Sequence, residues 1–182
     1  MEVELDGAGY FGATLAVVHP IAPTGYQEEE GRKVMLKRFH HWGEMAQKRK
    51  IQLALETGYP RSVRAFVALV KDVNHPWVGA TLDVGHQSGA PEGIRAYNDT
   101  NIALVEQLRE KLFHLHVHDI DPATWKEHKP FGTGFIDYPR LITKLREVGY
   151  GGMPMLEICA PASEMRGHLE LAKKRLEEYV RG

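Results

Sequence analysis

Five apolar runs in this chain each stop at a residue able to bind a metal or move a proton. His19 closes GATLAVVH, Glu56 closes IQLALE, and Asp83 closes VGATLD with His86 three residues on. His116 or His118 closes LFHLHVH, and Glu157 lies in MPMLEIC. A sixth stretch, KEHKPFGTGFIDY, carries His128 in a glycine-containing segment. Buried charge without a partner is expensive, so ionisable residues at all five ends point to a shared purpose. Converging carboxylates repel one another and favour a cation between them. Two Glu, one Asp and one His suit a divalent metal with mixed oxygen and nitrogen ligands, such as Mn²⁺, Mg²⁺, Co²⁺ or Zn²⁺. His114, His116 and His118 alternate and share a strand face. The last two lie nearest the strand end and are the ligand candidates; His114 is expected deeper, in packing. His40 and His41 read as solvent-facing or packing residues, and His75 and His168 as loop and helix surface.

The elements that must position these residues follow from the periodicity. Strands are expected over 12–20, 51–56, 78–84, 112–118 and 153–159, the first as a continuous apolar run buried on both faces. Helical spacing runs over 28–50, 62–73, 94–111, 138–148 and 163–180, with Ser62 as a cap and Gly149 as a stop. Residues 1–11 give little pattern. The segments 21–26 and 87–93 read as loops. The long segment 119–136 reads as a functional loop over a site. Within it, Gly132-Thr133-Gly134 could hold an anion or be a plain turn. Lys126, Lys129 and Arg140 nearby suit an acidic substrate or a solvated basic patch. Regular alternation of strand and helix predicts a parallel sheet with right-handed crossovers. Ligands at the carboxyl ends of such strands are how a β/α barrel builds an active site.

Composition bounds the rest. With 182 residues, 43% hydrophobic and 26% charged, the chain suits one globular domain spanning 1–182. Its formal net charge is −1, so no overall field attracts nucleic acid or acidic lipid. No apolar run approaches a membrane span. The opening MEVELDGAGYFG has no apolar signal region. One cysteine, Cys159, fits a reducing cytoplasm and is expected as a small buried hydrophobe.

The motifs VVHP (17–20), LALET (53–57), LDVGH (82–86), HLHVHD (114–119), HKPFGTGFIDY (128–138) and GYGGMPMLEI (149–158) are specific in order and spacing. Together they resemble the xylose-isomerase-like TIM-barrel superfamily of sugar and sugar-phosphate isomerases and epimerases and endonuclease IV-type enzymes. The resemblance implies that Glu56, Asp83, His116 and Glu157 hold one divalent metal. It implies that Glu56 and Glu157 are the catalytic proton carriers, through a metal-stabilised enediolate. It assigns His86 to substrate or a second metal, and matches His19 and His128 to extra ligands of the endonuclease branch. That branch has an acid two residues before the loop histidine, where this chain has Lys126. This departure and the charge argue against DNA as substrate. The expected partner is a small carbohydrate.

The resemblance begins at the fourth barrel strand, and 182 residues fall short of the ~250 of a full barrel. The expected fold is therefore an incomplete α/β TIM-type barrel of about five C-terminal β/α units. The chain could be a truncated reading, could pair with another polypeptide, or could be an inactive remnant or partner subunit. A lyase or hydrolase on the same metal is the remaining alternative. Open sheet edges invite pairing, so a homo-oligomer is the expected solution.

Overall fold

A computed structural model describes residues 1–25, 28–86 and 93–181. The expected loops at 21–26 and 87–93 therefore lie partly outside the described residues. In chain order the elements are α1 (Glu2–Tyr10), β1 (Leu15–Val18), α2 (Glu28–Arg49), β2 (Gln52–Glu56), α3 (Val63–Val73) and β3 (Val78–Asp83). There follow α4 (Gly93–Leu108), a 3₁₀ turn (Arg109–Lys111), β4 (Leu112–Val117), α5 (Tyr138–Glu147), β5 (Pro154–Leu156) and α6 (Ala162–Arg181). The five strands form one parallel sheet in the order β1-β2-β3-β4-β5. This is the expected half-barrel, with β1 and β5 as its edges.

Local chemistry sets the boundaries. Ser62 accepts the Ala65 N–H and starts α3, and Asn74 ends it in the left-handed region at φ 45°. Asp137 caps α5 on the Arg140 N–H, and Gly149 at φ 72° follows the helix. The strand pleat then divides the residues. Leu53, Leu55, Val78, Ala80, Leu82, Leu115 and Val117 join the buried core under the helices. Alternate residues, Glu56, Thr81, Asp83, His114 and His116, face the hollow of the half-barrel.

Register decides which of them meet. Between β3 and β4, Ala80 pairs with Leu112 but Thr81 pairs with His114, so Phe113 is an extra residue. This bulge sets Asp83 opposite His116. Gly79 makes room for it: a β-carbon there would lie 2.6 Å from the Phe113 ring and collide with the Lys111 carbonyl.

Several expectations are corrected. The first strand is not buried on both faces; all four residues of β1 are half-buried, because nothing pairs beyond it among the described residues. The fifth strand is short for the same reason, with Met153 74% and Met155 51% exposed. Cys159 beside it is exposed rather than buried. Residues 2–10, which lack a pattern, form α1 because tertiary contacts hold it: Leu5 is buried, and Arg49 at the end of α2 pairs with Asp6 and Glu2. His75, expected at the surface, is buried and accepts the Trp77 N–H.

Gly79→Ala is expected to lower unfolding free energy by about 1–3 kcal/mol, because rigid backbone and a ring fill the space. Urea denaturation followed by circular dichroism measures it. A midpoint equal to that of the native chain would contradict the packing described for the bulge.

Candidate active site

Four strand ends deliver Glu56, Asp83, His116 and Glu157 to one point. Each offers a ligand atom, and these atoms all lie within 4.8 Å of one another. The Nδ1 of His116 is 2.8 Å from Oε1 of Glu56, 2.8 Å from Oε2 of Glu157 and 3.7 Å from Oδ2 of Asp83. Asp83 is fully buried and Glu56 nearly so, while the Glu157 side chain is 44% exposed. Between His116 and His118, the structure puts His116 in this group.

The other sequence candidates stand around it. His19, at the end of β1, places Nε2 2.6 Å from Oε2 of Glu56. His86 lies with Nδ1 3.6 Å from Glu56 and 3.8 Å from Asp83. Its other nitrogen is 4.0 Å from Glu127. His86, Glu127 and His128 form a second group able to hold an ion. All seven candidates therefore converge. Glu127 was not singled out from sequence, although its place beside His128 was a usable signal.

A supporting layer was less visible. Asp83 receives N–H bonds from Gly85 (2.7 Å) and His86 (3.1 Å) on Oδ1, and Nε2 of His118 lies 3.0 Å from the same oxygen. Asp119 is buried and holds the long loop by backbone donors. Ile120 and Ile136 N–H bond its Oδ1, and the Gly132 N–H bonds its Oδ2. Asp119 and Lys129 also exchange backbone bonds across the loop base. Since the Gly132 N–H serves Asp119 and the Thr133 N–H serves the Pro130 carbonyl, this segment is a plain turn there. Arg140 faces Asp99 at 2.8 Å rather than the site.

The electrostatics express the crowding. Burial opposes charge on His116, but the neighbouring carboxylates of Asp83, Glu56 and Glu157 push its pKa up to about 10. Burial likewise opposes charge on Asp83, yet the imidazoles of His116 and His118 hold its carboxyl below the usual range. His114, buried against the His116 ring, is shifted down by desolvation and by the His116 charge.

A family model described as xylose isomerase-like TIM barrel matches residues 1–177. L-ribulose-5-phosphate 3-epimerase UlaE of Escherichia coli O139:H28 is 29% identical over 135 residues, covering 72% of this chain and 44% of that protein. The chain thus spans under half the length of the curated relatives it matches. A crystal structure of a D-tagatose 3-epimerase-like protein superposes with a TM-score of 0.74 at 22% identity, over 99% of this chain and 68% of the other. A Mycobacterium smegmatis xylose isomerase-like TIM-barrel protein in complex with magnesium gives 0.70 at 21% identity, over 98% and 64%. The IOLI protein with a zinc atom gives 0.73 at 19%, over 98% and 67%.

The raised pKa of His116 has a stability consequence in metal-free protein. Charged His116 stabilises the fold fully below its ordinary pKa of 6.5, and that contribution is lost as pH rises toward 10. The His116 imidazole is expected to titrate well above 6.5 by NMR in chelator-treated protein, and Glu56→Gln to move it back down. Titration of the native chain at an ordinary histidine value would contradict the geometry.

Proposed function

The chain belongs to the xylose isomerase-like TIM-barrel family, and from that premise we propose that it carries the metal and proton-transfer centre of a sugar or sugar-phosphate epimerase or isomerase. One observation carries the reading. A single nitrogen, His116 Nδ1, has two carboxylates at 2.8 Å and a third at 3.7 Å, yet it can give a proton to only one. Glu157 Oε2 is buried there without a hydrogen-bond partner among the described residues. Three acids and an imidazole around one centre are a donor set that fits Mn²⁺, Mg²⁺, Co²⁺ or Zn²⁺.

Glu56, Asp83, His116 and Glu157 would hold that cation. When bound, it would polarise a substrate carbonyl and disperse the charge that develops as a proton leaves the neighbouring carbon. The chain's own residues do the rest. Glu56 and Glu157 come from strands on opposite sides of β3 and β4, so they address a sugar carbon from two directions. One removes its proton and the other returns a proton to the opposite face. His19, against the second oxygen of Glu56, fixes that carboxylate's orientation. His86 and His128, with Glu127, stand at the mouth, where sugar hydroxyls or a second ion would bind. The named activities of relatives support the sugar class: UlaE acts as an L-ribulose-5-phosphate 3-epimerase. A cytoplasmic location fits one cysteine in 182 residues.

We also take the outer edges of β1 and β5 to be covered by a second copy of the chain, since strand edges without a neighbour among the described residues, beside exposed Met153 and Met155, invite association.

Incubation with ketopentoses and ketohexoses, free and phosphorylated, in D₂O with Mn²⁺ tests the chemistry. Deuterium is expected to enter the carbon next to the carbonyl of one sugar. Glu56→Gln and Glu157→Gln should each slow entry by at least ~10²-fold, the lower range for a general acid–base residue. No exchange with any sugar by the metal-loaded chain would sink the proposal. Removal of metal affinity by Glu157→Gln is expected in the same preparations; full retention would contradict the ligand set. Sedimentation velocity at micromolar concentration should give a dimer or larger, and a stable monomer would contradict self-association.

A further inference from the structure

His118 is completely buried, and both of its ring nitrogens are engaged. Nε2 lies 3.0 Å from Oδ1 of Asp83. Nδ1 lies 3.0 Å from the backbone N of His128 and 3.1 Å from the Asp119 carbonyl. A backbone N–H can only donate, and the Asp119 carbonyl already accepts the Lys129 N–H at 2.9 Å, so we assign Nδ1 as the acceptor of the His128 N–H and place the ring proton on Nε2, directed at Asp83. The ring stacks on His128 with centroids 4.4 Å apart and planes tilted by 37°. The Tyr138 hydroxyl bonds the His118 carbonyl. Gly85 leaves the room for it, because a β-carbon there would collide with Cε1 of His118.

What lies at each end of the ring is specific. Asp83 Oδ1 already accepts two backbone N–H bonds, so the His118 proton completes that oxygen's donors and leaves Oδ2 toward the four-residue group. His128 holds φ 58°, a left-handed backbone uncommon outside glycine. Its N–H is fixed on His118 and its carbonyl accepts the Cys159 N–H at 2.8 Å. That twist turns the His128 ring inward, with Nδ1 3.1 Å from the Glu157 carbonyl.

We propose that His118 is a two-ended positioning residue: Nε2–H orients the Asp83 carboxylate, and Nδ1 holds the His128 backbone that presents Glu127 and His128 to the mouth. It ties a strand-end ligand to the loop across the site. The metal part of this rests on the reading above; the loop part does not.

Two variants separate the ends. Asn places its carbonyl oxygen near the Nδ1 position and can keep the His128 N–H, but it has nothing to reach Asp83. Gln places its amide near the Nε2 position and can keep Asp83, but it leaves the His128 N–H without an acceptor. Mn²⁺ binding by calorimetry and exchange of the His128 amide by NMR are read on the full chain. His118→Asn should weaken Mn²⁺ by ~10-fold or more, the usual size for loss of a partner behind a ligand, with the amide still protected. His118→Gln should keep Mn²⁺ affinity within a few-fold and raise His128 amide exchange at least tenfold. This crossed pattern would not arise from general loosening, which moves both readouts together in both variants and would overturn the proposal. Native behaviour in both variants would overturn it as well. If the native chain binds no Mn²⁺, the metal reading falls, and the loop half is decided by ¹⁵N shifts: a proton on Nδ1 of His118 overturns it, and a bare Nδ1 with faster exchange in His118→Gln sustains it.

Discussion

Repulsion among three acids packed at one end of a sheet is the constraint that everything else answers. Asp83 and Glu56 lie where water cannot screen them, and Glu157 reaches in from the edge. Such a cluster is costly without positive charge at its centre. In the chain itself that charge is His116, drawn above its ordinary range. The surrounding structure bears the marks of containing the same field: two backbone N–H groups and an imidazole on Asp83, and an imidazole on each oxygen of Glu56.

The backbone was built to bring these groups together, and a small irregularity does much of it. Without the extra residue at Phe113, β4 would slip by one against β3 and turn its histidines away from Asp83. The bulge needs a glycine on the neighbouring strand, and Gly79 supplies it. The carboxyl ends of the strands then act as fixed mounts, while the long loop after β4 adds the groups at the rim.

Much of this was legible in the sequence. Strand ends, helices and the candidates at which apolar runs stop follow from hydrophobic period and residue type, while the role of His128 and the choice of His116 came from the family resemblance. What was not legible has physical causes. The burial of β1 and β5 depends on what pairs beyond them, so apolar runs such as LAVV and PML look like core strands and are half open. α1 is held by Leu5 and by Arg49 from another helix, which no local pattern announces. Alternation alone leaves His116 and His118 open, and only the family motif pointed to His116; the register opposite Asp83 is the physical reason. Asp119 carried no role beyond its place in HLHVHD, because its work is done on backbone amides, two of them far along the chain.

That carboxylate has a consequence for how such a site can diversify. Asp119 gathers the amides of Ile120, Gly132 and Ile136, so the frame of the loop is fixed at its base by main-chain groups that every residue possesses. Residues 121–126, at the exposed tip, bear none of that frame's weight through contacts with Asp119's side chain. Mutational drift there can reshape the rim and its appetite for different molecules while the acids beneath keep their places. The fixed frame and the free rim are thereby separate parts of one short segment.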